Sequence, residues 1–134
     1  MNLAKFNTTT LANKGVEVEL KDLRTGQGAG CYITILGTDS ETYQALKEER
    51  AREAAARIES GKGNDLSRDE LLKLTCETLA RCTIGWRLLD AEEEDGGGPL
   101  AFSPEAAVKL YAKYPAIRDQ INREIADRGN FARA

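Results

Sequence analysis

The feature that most constrains the fold is a change of hydrophobic period along the chain. Near its start, Val16-Glu17-Val18-Glu19-Leu20 alternates apolar and polar side chains, whereas from residue 39 onward apolar residues recur at helical spacing. A period of two puts successive side chains on opposite faces of a strand, and a period near 3.6 puts them on one stripe of a helix. Strands first and helices afterwards predict an α+β protein, an N-terminal β-hairpin followed by a group of about four α-helices. At 134 residues one domain suffices, and a chain of that length buries roughly two-thirds of its unfolded surface.

Residues 1–14 show no strong period and read as a flexible or lightly docked arm, with the single domain covering residues 15–134. The hairpin is expected over residues 16–36. Its turn chemistry lies in Arg24 to Gly30, and its second strand in Cys31-Tyr32-Ile33-Thr34-Ile35-Leu36. Thr38-Asp39-Ser40-Glu41 reads as a capping box, with the Thr38 hydroxyl and the Glu41 carboxylate meeting the exposed N–H groups of a helix over residues 39–59. Tyr43, Leu46, Ala54 and Ile58 form its thin apolar face. Ser67-Arg68-Asp69-Glu70 repeats the box and opens a helix over residues 67–87, on which Leu72, Cys76, Leu79 and Trp86 fall near one stripe. Ser103 then Pro104 start a third helix, residues 103–114, and Pro115 starts a fourth, residues 115–128. Ile117, Ile121 and Ile125 repeat every fourth residue there, Gly129 is the expected stop, and Asn130-Phe131 a final anchor.

Composition narrows the function. Nineteen basic against twenty-two acidic residues give a net charge of −3, which offers no general attraction for nucleic acid or anionic lipid. No apolar run approaches the length that spans a bilayer, and the N-terminus lacks a signal-type apolar stretch, so a cytoplasmic, membrane-free location is expected. Cys31, Cys76 and Cys82 suit a reducing compartment, with Cys76 and Cys82 as small buried residues. Histidine is absent, which removes the commonest general base and metal ligand. Gly26-Gln27-Gly28-Ala29-Gly30 precedes a strand, and Gly61-Lys62-Gly63 lies between helices, so neither has a nucleotide-loop context. Glu92, Glu93, Glu94 and Asp95 lack the alternation of a calcium loop and read as a solvated acidic loop. No catalytic, cofactor-binding or metal-binding residue is expected, and no cofactor.

The residues expected to form the core or to contact a partner are Trp86, Leu79, Phe102, Ile117, Ile121, Ile125 and Phe131. Tryptophan serves as a core anchor or as an interface hot spot. The core reading places Trp86 under the second helix with Phe102 and Ile121 as neighbours, and Trp86→Ala then costs about 3–5 kcal/mol for full burial.

One ordered pattern runs from the hairpin through Gly37-Thr38-Asp39-Ser40, then Trp86, a glycine-containing acidic loop, Leu100-Ala101-Phe102-Ser103-Pro104-Glu105, Tyr114-Pro115 and Asn130-Phe131. In order and spacing it resembles the tail assembly chaperones of long-tailed, siphovirus-type bacteriophages, over about residues 15–131. Arg87-Leu88 and the enlarged loop depart from that pattern. The resemblance implies a non-enzymatic protein of phage or prophage origin. It would bind and solubilise the tape-measure protein and help recruit tail-tube protein during virion morphogenesis; self-association is a further possibility. Such a protein works in the cytoplasm of the bacterial host and is absent from the mature virion. The rival readings are a minor tail or head-tail connector protein retained in the particle, a carboxylate-metal enzyme, and a DNA-binding regulator, the last disfavoured by the acidic balance.

Overall fold

The computed structural model describes residues 3–63, 65–89 and 98–132. The fold is α+β, as the change of period predicts. Strands β1 (Val16–Lys21) and β2 (Gly28–Ile35) pair antiparallel, with Val16 opposite Ile35 and Val18 opposite Ile33. Between them Asp22 organises the turn: its carboxylate accepts from the N–H groups of Arg24 at 2.7 Å and Thr25 at 3.3 Å. That short polar side chain supplies locally what a backbone turn otherwise must. The second strand therefore begins at Gly28, ahead of the expected Cys31.

The second expected helix is shorter than its stripe suggests. Helix α3 (Arg68–Arg81) ends at Cys82, and Thr83–Arg87 form a third strand, β3, that completes a sheet of order β1-β2-β3. Trp86 therefore stands on β3, opposite Ile33 of β2, and not on a helix. The switch has a local cause. Thr83 Oγ1 donates to the Leu79 carbonyl at 2.7 Å, beside the Cys82 N–H that reaches the same oxygen at 3.2 Å, and so turns the chain out of the helix at its end. The Leu36 N–H then takes the Cys82 carbonyl at 2.7 Å, fastening the junction beside the end of β2.

Helix α2 (Glu41–Glu59) is capped two residues later than the expected box. Buried Ser40 is the N-cap and accepts from the Tyr43 N–H at 3.1 Å, while the Thr38 carbonyl accepts from the Gln44 side-chain amide at 2.8 Å. The other caps stand where the sequence puts them. Ser67 accepts from the Glu70 N–H at 3.1 Å, and the Glu70 carboxylate accepts from the Ser67 N–H at 3.3 Å. Ser103 accepts from the Ala106 N–H at 3.0 Å ahead of α4 (Pro104–Lys113). Each such cap contributes about 1 kcal/mol. Helix α5 (Pro115–Ala126) ends before Gly129, and a 3₁₀ turn, Arg128–Phe131, buries Phe131.

The core fills the space between one face of the sheet and α3, α4 and α5. Val18, Ile33 and Ile35 meet Cys76, Leu79, Leu110, Tyr111, Ile121 and Ile125 in one continuous cluster. The opposite sheet face is polar: Arg87 reaches Glu17 with two hydrogen bonds of 3.0 and 2.7 Å and lies 4.2 Å over the Tyr32 ring. The free edge of β1 is closed by α5. Gln120 accepts from the Lys21 N–H at 2.8 Å and donates to its carbonyl at 3.0 Å.

Part of the N-terminal segment packs on the body, while Leu3 and Phe6 at its start are exposed. Helix α1 (Thr9–Lys14) buries Ala12 completely, Asn13 accepts from the Glu41 N–H at 2.7 Å, and Thr8 donates to Asp39 at 2.6 Å. A Cβ at Gly37 would lie 2.9 Å from the Phe131 ring and 3.0 Å from Ala12, so only glycine lets these segments meet.

Candidate functional site

Helix α2 departs from the body. Leu46 is its one buried residue and Tyr43 packs half-buried on the core, whereas Ile58, expected on the same apolar face, is 60% exposed. The inward side of α2 carries Thr42, Glu49, Arg50 and Glu53, whose spacing of seven, eight and eleven residues lies on one helical face. These four form one wall of a groove of about 690 Å³. Its floor and far wall come from the end of α3 (Ala80), from β3 (Thr83, Ile84) and from the start of α4 with its lead-in (Phe102, Pro104, Val108). The floor is apolar. A hollow of this size with an apolar floor and few polar groups has the general character of a binding site.

Ile84 reaches the groove through a β-bulge. Thr34 pairs with Gly85 and Ile35 with Thr83, which leaves Ile84 as the extra residue on β3, 47% exposed. A bulge bends the strand and re-aims the unpaired side chain. The base of that side chain's neighbourhood is set by Gly15, at φ +98°, where an added Cβ would lie 2.7 Å from Ile84 Cδ1.

Charges line the rim and are paired across it. Arg81 of α3 meets Glu49 at 2.7 Å, and Arg50 meets Glu53 at 3.2 Å and Glu77 of α3 at 3.8 Å. The hydrogen bond and charge of Arg81 hold the Glu49 carboxyl below its ordinary range. Arg50 Nε is buried and finds no acceptor among the described residues. In the core, burial pushes the Cys82 thiol up to about 11, which keeps it a neutral, unreactive thiol at physiological pH. Burial likewise pushes Tyr111 up to about 12.

The seven residues singled out in the sequence divide between core and groove. Leu79, Ile121, Ile125 and Phe131 are buried, and Ile117 packs half-buried against them. Trp86 is half-buried. Its ring meets Phe102 edge-on with centroids 4.9 Å apart, and its indole N–H donates to the Leu100 carbonyl at 2.8 Å. The expected Trp86–Phe102 neighbourhood is therefore real, and it stands behind the groove, where Phe102 alone of the pair forms the lining. Sequence reading missed Ile84, Val108 and the Glu49–Arg81 pair. The β-branched Thr83-Ile84 step was the available signal for Ile84, but the pair joins residues 32 positions apart. Cys76 and Cys82 are buried free thiols, and the acidic run Glu92 to Asp95 lies outside the described residues.

Among the described residues no group of three or more His, Cys, Asp or Glu is placed to hold a metal ion, and no helix is long and apolar enough to cross a membrane. No curated protein and no solved structure matches the chain. A family model does match, over residues 38–134, a span that contains every residue lining the groove. The chain thus belongs to the YdaY prophage protein family.

Proposed function

We propose that this prophage protein is a tail assembly chaperone, which binds and solubilises the tape-measure protein and helps recruit tail-tube subunits during tail morphogenesis. The observation that carries the reading is the groove beside α2, with its apolar floor of Ala80, Ile84, Phe102 and Val108 and a rim of both charge signs. An elongated helical client presents apolar residues at intervals of three and four, and such a stripe is recognised by an apolar groove whose rim stays wet. The ordered motifs from Gly37 to Phe131 support the same role. The protein acts by sheltering another chain and not by making or breaking bonds. On the groove rim Glu49 pairs with Arg81, and Glu53 and Glu77 with Arg50, a balance of charge that suits a wet rim around an apolar floor. The protein works in the host cytoplasm and leaves before the virion is finished.

Co-expression with the tape-measure protein of the same phage tests this. The expected result is a soluble complex that copurifies, with the client aggregating when expressed alone. Ile84→Asp should abolish copurification while leaving thermal unfolding nearly unchanged, because that side chain is 47% exposed, and Val108→Thr, a polar change of similar volume at a half-buried position, should weaken copurification. A client that stays soluble by itself, or this protein at stoichiometric levels in purified virions, would overturn the proposal. The second outcome would point to a structural tail or connector protein.

A further inference from the structure

The start of the chain holds two large apolar side chains out in water. Leu3–Phe6 form a 3₁₀ turn, and three residues per turn put Leu3 and Phe6 on one side of it. They are 71% and 72% exposed. Hydrogen bonds fix the turn to α1. The Asn7 N–H donates to the Ala4 carbonyl at 3.2 Å, and the Asn7 side-chain oxygen accepts from the Thr9 and Thr10 N–H groups at 3.1 and 3.3 Å. The Thr8 bond to Asp39 and buried Ala12 then seat α1 on the body. An apolar pair that is already fixed in place loses little freedom when a partner covers it.

The matching surface is the groove beside α2 in the same chain. Ala80, Ile84, Phe102 and Val108 give it an apolar floor, and its volume of about 690 Å³ has room for both side chains. Neither Leu3 nor Phe6 lines the groove of its own chain; Phe6 lies beside Asp39 and Arg128, at a different hollow. Charge agrees as well. The groove is lined by three carboxylates, Glu49, Glu53 and Glu77, against two guanidinium groups, Arg50 and Arg81. Exposed Lys5, between Leu3 and Phe6, is the one charged residue of the turn.

We propose that the Leu3–Phe6 turn of one copy of this protein seats in the α2 groove of a second copy, with Leu3 and Phe6 on the apolar floor and Lys5 at the carboxylates of the rim. Turn and groove are different surfaces, so the contact is heterologous and each pair keeps one unused turn and one unused groove. The inference rests on the groove being a binding site and goes beyond the client: between clients the groove is covered by a neighbouring copy, which a client must displace.

Sedimentation equilibrium of the full chain tests it. Two apolar anchors make a small contact, and the mean mass should rise with concentration between about 1 μM and about 1 mM, where weak interfaces lie. Phe6→Ser and Ile84→Asp should each abolish the rise, and both positions are exposed enough for the variants to fold. Mixed in equal amounts, the two variants should form a dimer and nothing larger, because the first keeps its groove and the second keeps its turn. Lys5→Glu should weaken association by roughly two- to fivefold at low salt. A parent protein whose mass ignores concentration, a mixture that stays monomeric, or a Phe6→Ser variant that associates like the parent would each overturn the proposal. So would a parent that is monomeric throughout while Phe6→Ser loses the tape-measure protein, since the turn would then be a client contact. Association as expected with no client captured keeps the contact between copies and removes the chaperone reading; client capture by a monomeric parent does the reverse.

Discussion

Tyr111 and Thr83 place their hydroxyl oxygens 2.7 Å apart in the core, and the direction of that bond follows from a third group. Thr83 has one hydroxyl proton and donates it to the Leu79 carbonyl, so Tyr111 is the donor to Thr83. Removing the two hydroxyls is therefore unequal. Tyr111→Phe loses one bond and strands no donor, and should cost about 1 kcal/mol. Thr83→Val strands the Tyr111 hydroxyl and takes one of two bonds from the Leu79 carbonyl, which keeps the Cys82 N–H at 3.2 Å, and should cost about 2 kcal/mol. The double variant should be more stable than Thr83→Val alone, since the stranded phenol is gone. Urea unfolding of the three variants measures this; equal single costs would contradict the assigned direction.

The same core should make the protein sensitive to alkali. Burial raises Cys82 from 9.0 to about 11 and Tyr111 from 10.0 to about 12. In both cases the folded state keeps its proton longer than the unfolded state. The associated stability is present in full below pH 9 and is lost as pH rises, first through Cys82 between about 9 and 11, then through Tyr111 between about 10 and 12. Each two-unit shift corresponds to about 2–3 kcal/mol. Cys82→Ala should flatten the fall between about pH 9 and 10, before the Tyr111 contribution begins. An unchanged slope there would show that Cys82 is not the group responsible.

The sequence made the hairpin, three helix starts and the Ile117-Ile121-Ile125 face legible because each is specified by neighbours in the chain. Alternation, a serine before a helix, or a proline at its first position needs no distant partner. Strand β3 is different. Leu72, Cys76 and Leu79 establish a helical stripe that Trp86 happens to continue, but Thr83-Ile84-Gly85-Trp86 gains more by pairing with Ile33 and Thr34, some fifty residues earlier. The stripe also overstated burial, since Leu72 is 38% exposed. The groove was illegible for the same reason, as its walls come from α2, α3, β3 and α4 and its rim is closed by ion pairs between helices.

Trp86 should be less critical than a fully buried tryptophan. Its ring is half-buried, with the edge contact to Phe102 and the bond to the Leu100 carbonyl as its specific ties. Trp86→Ala should cost about 2–3 kcal/mol, below the usual range for emptying a core site. Trp86→Phe keeps most of the packing and should cost about 1 kcal/mol, chiefly the lost hydrogen bond. Thermal unfolding of both variants checks the order. A loss above about 4 kcal/mol for Trp86→Ala would mean that β3 unpairs without it.

Gln120 guards the edge of the sheet. An outer strand with free N–H and C=O groups is a template for another strand, and proteins cover such edges or charge them. Here one side-chain amide matches both groups of Lys21, as a neighbouring strand would, and α5 holds it in place. Gln120→Ala should leave that backbone to water at a cost of about 1 kcal/mol, because the site is exposed. The larger effect should be on association. With the plug gone, the alternating Val16–Lys21 strand presents an open edge, and light scattering should show larger, concentration-dependent assemblies than the parent protein gives under the same conditions. Gln120→Glu separates the two effects, since its carboxylate still accepts from the Lys21 N–H but cannot donate to the carbonyl. It should lose part of the stability while its charge keeps the edge soluble. If Gln120→Ala stays as dispersed as the parent at high concentration, the edge is protected by some other means and the plug serves only to seat α5 on β1.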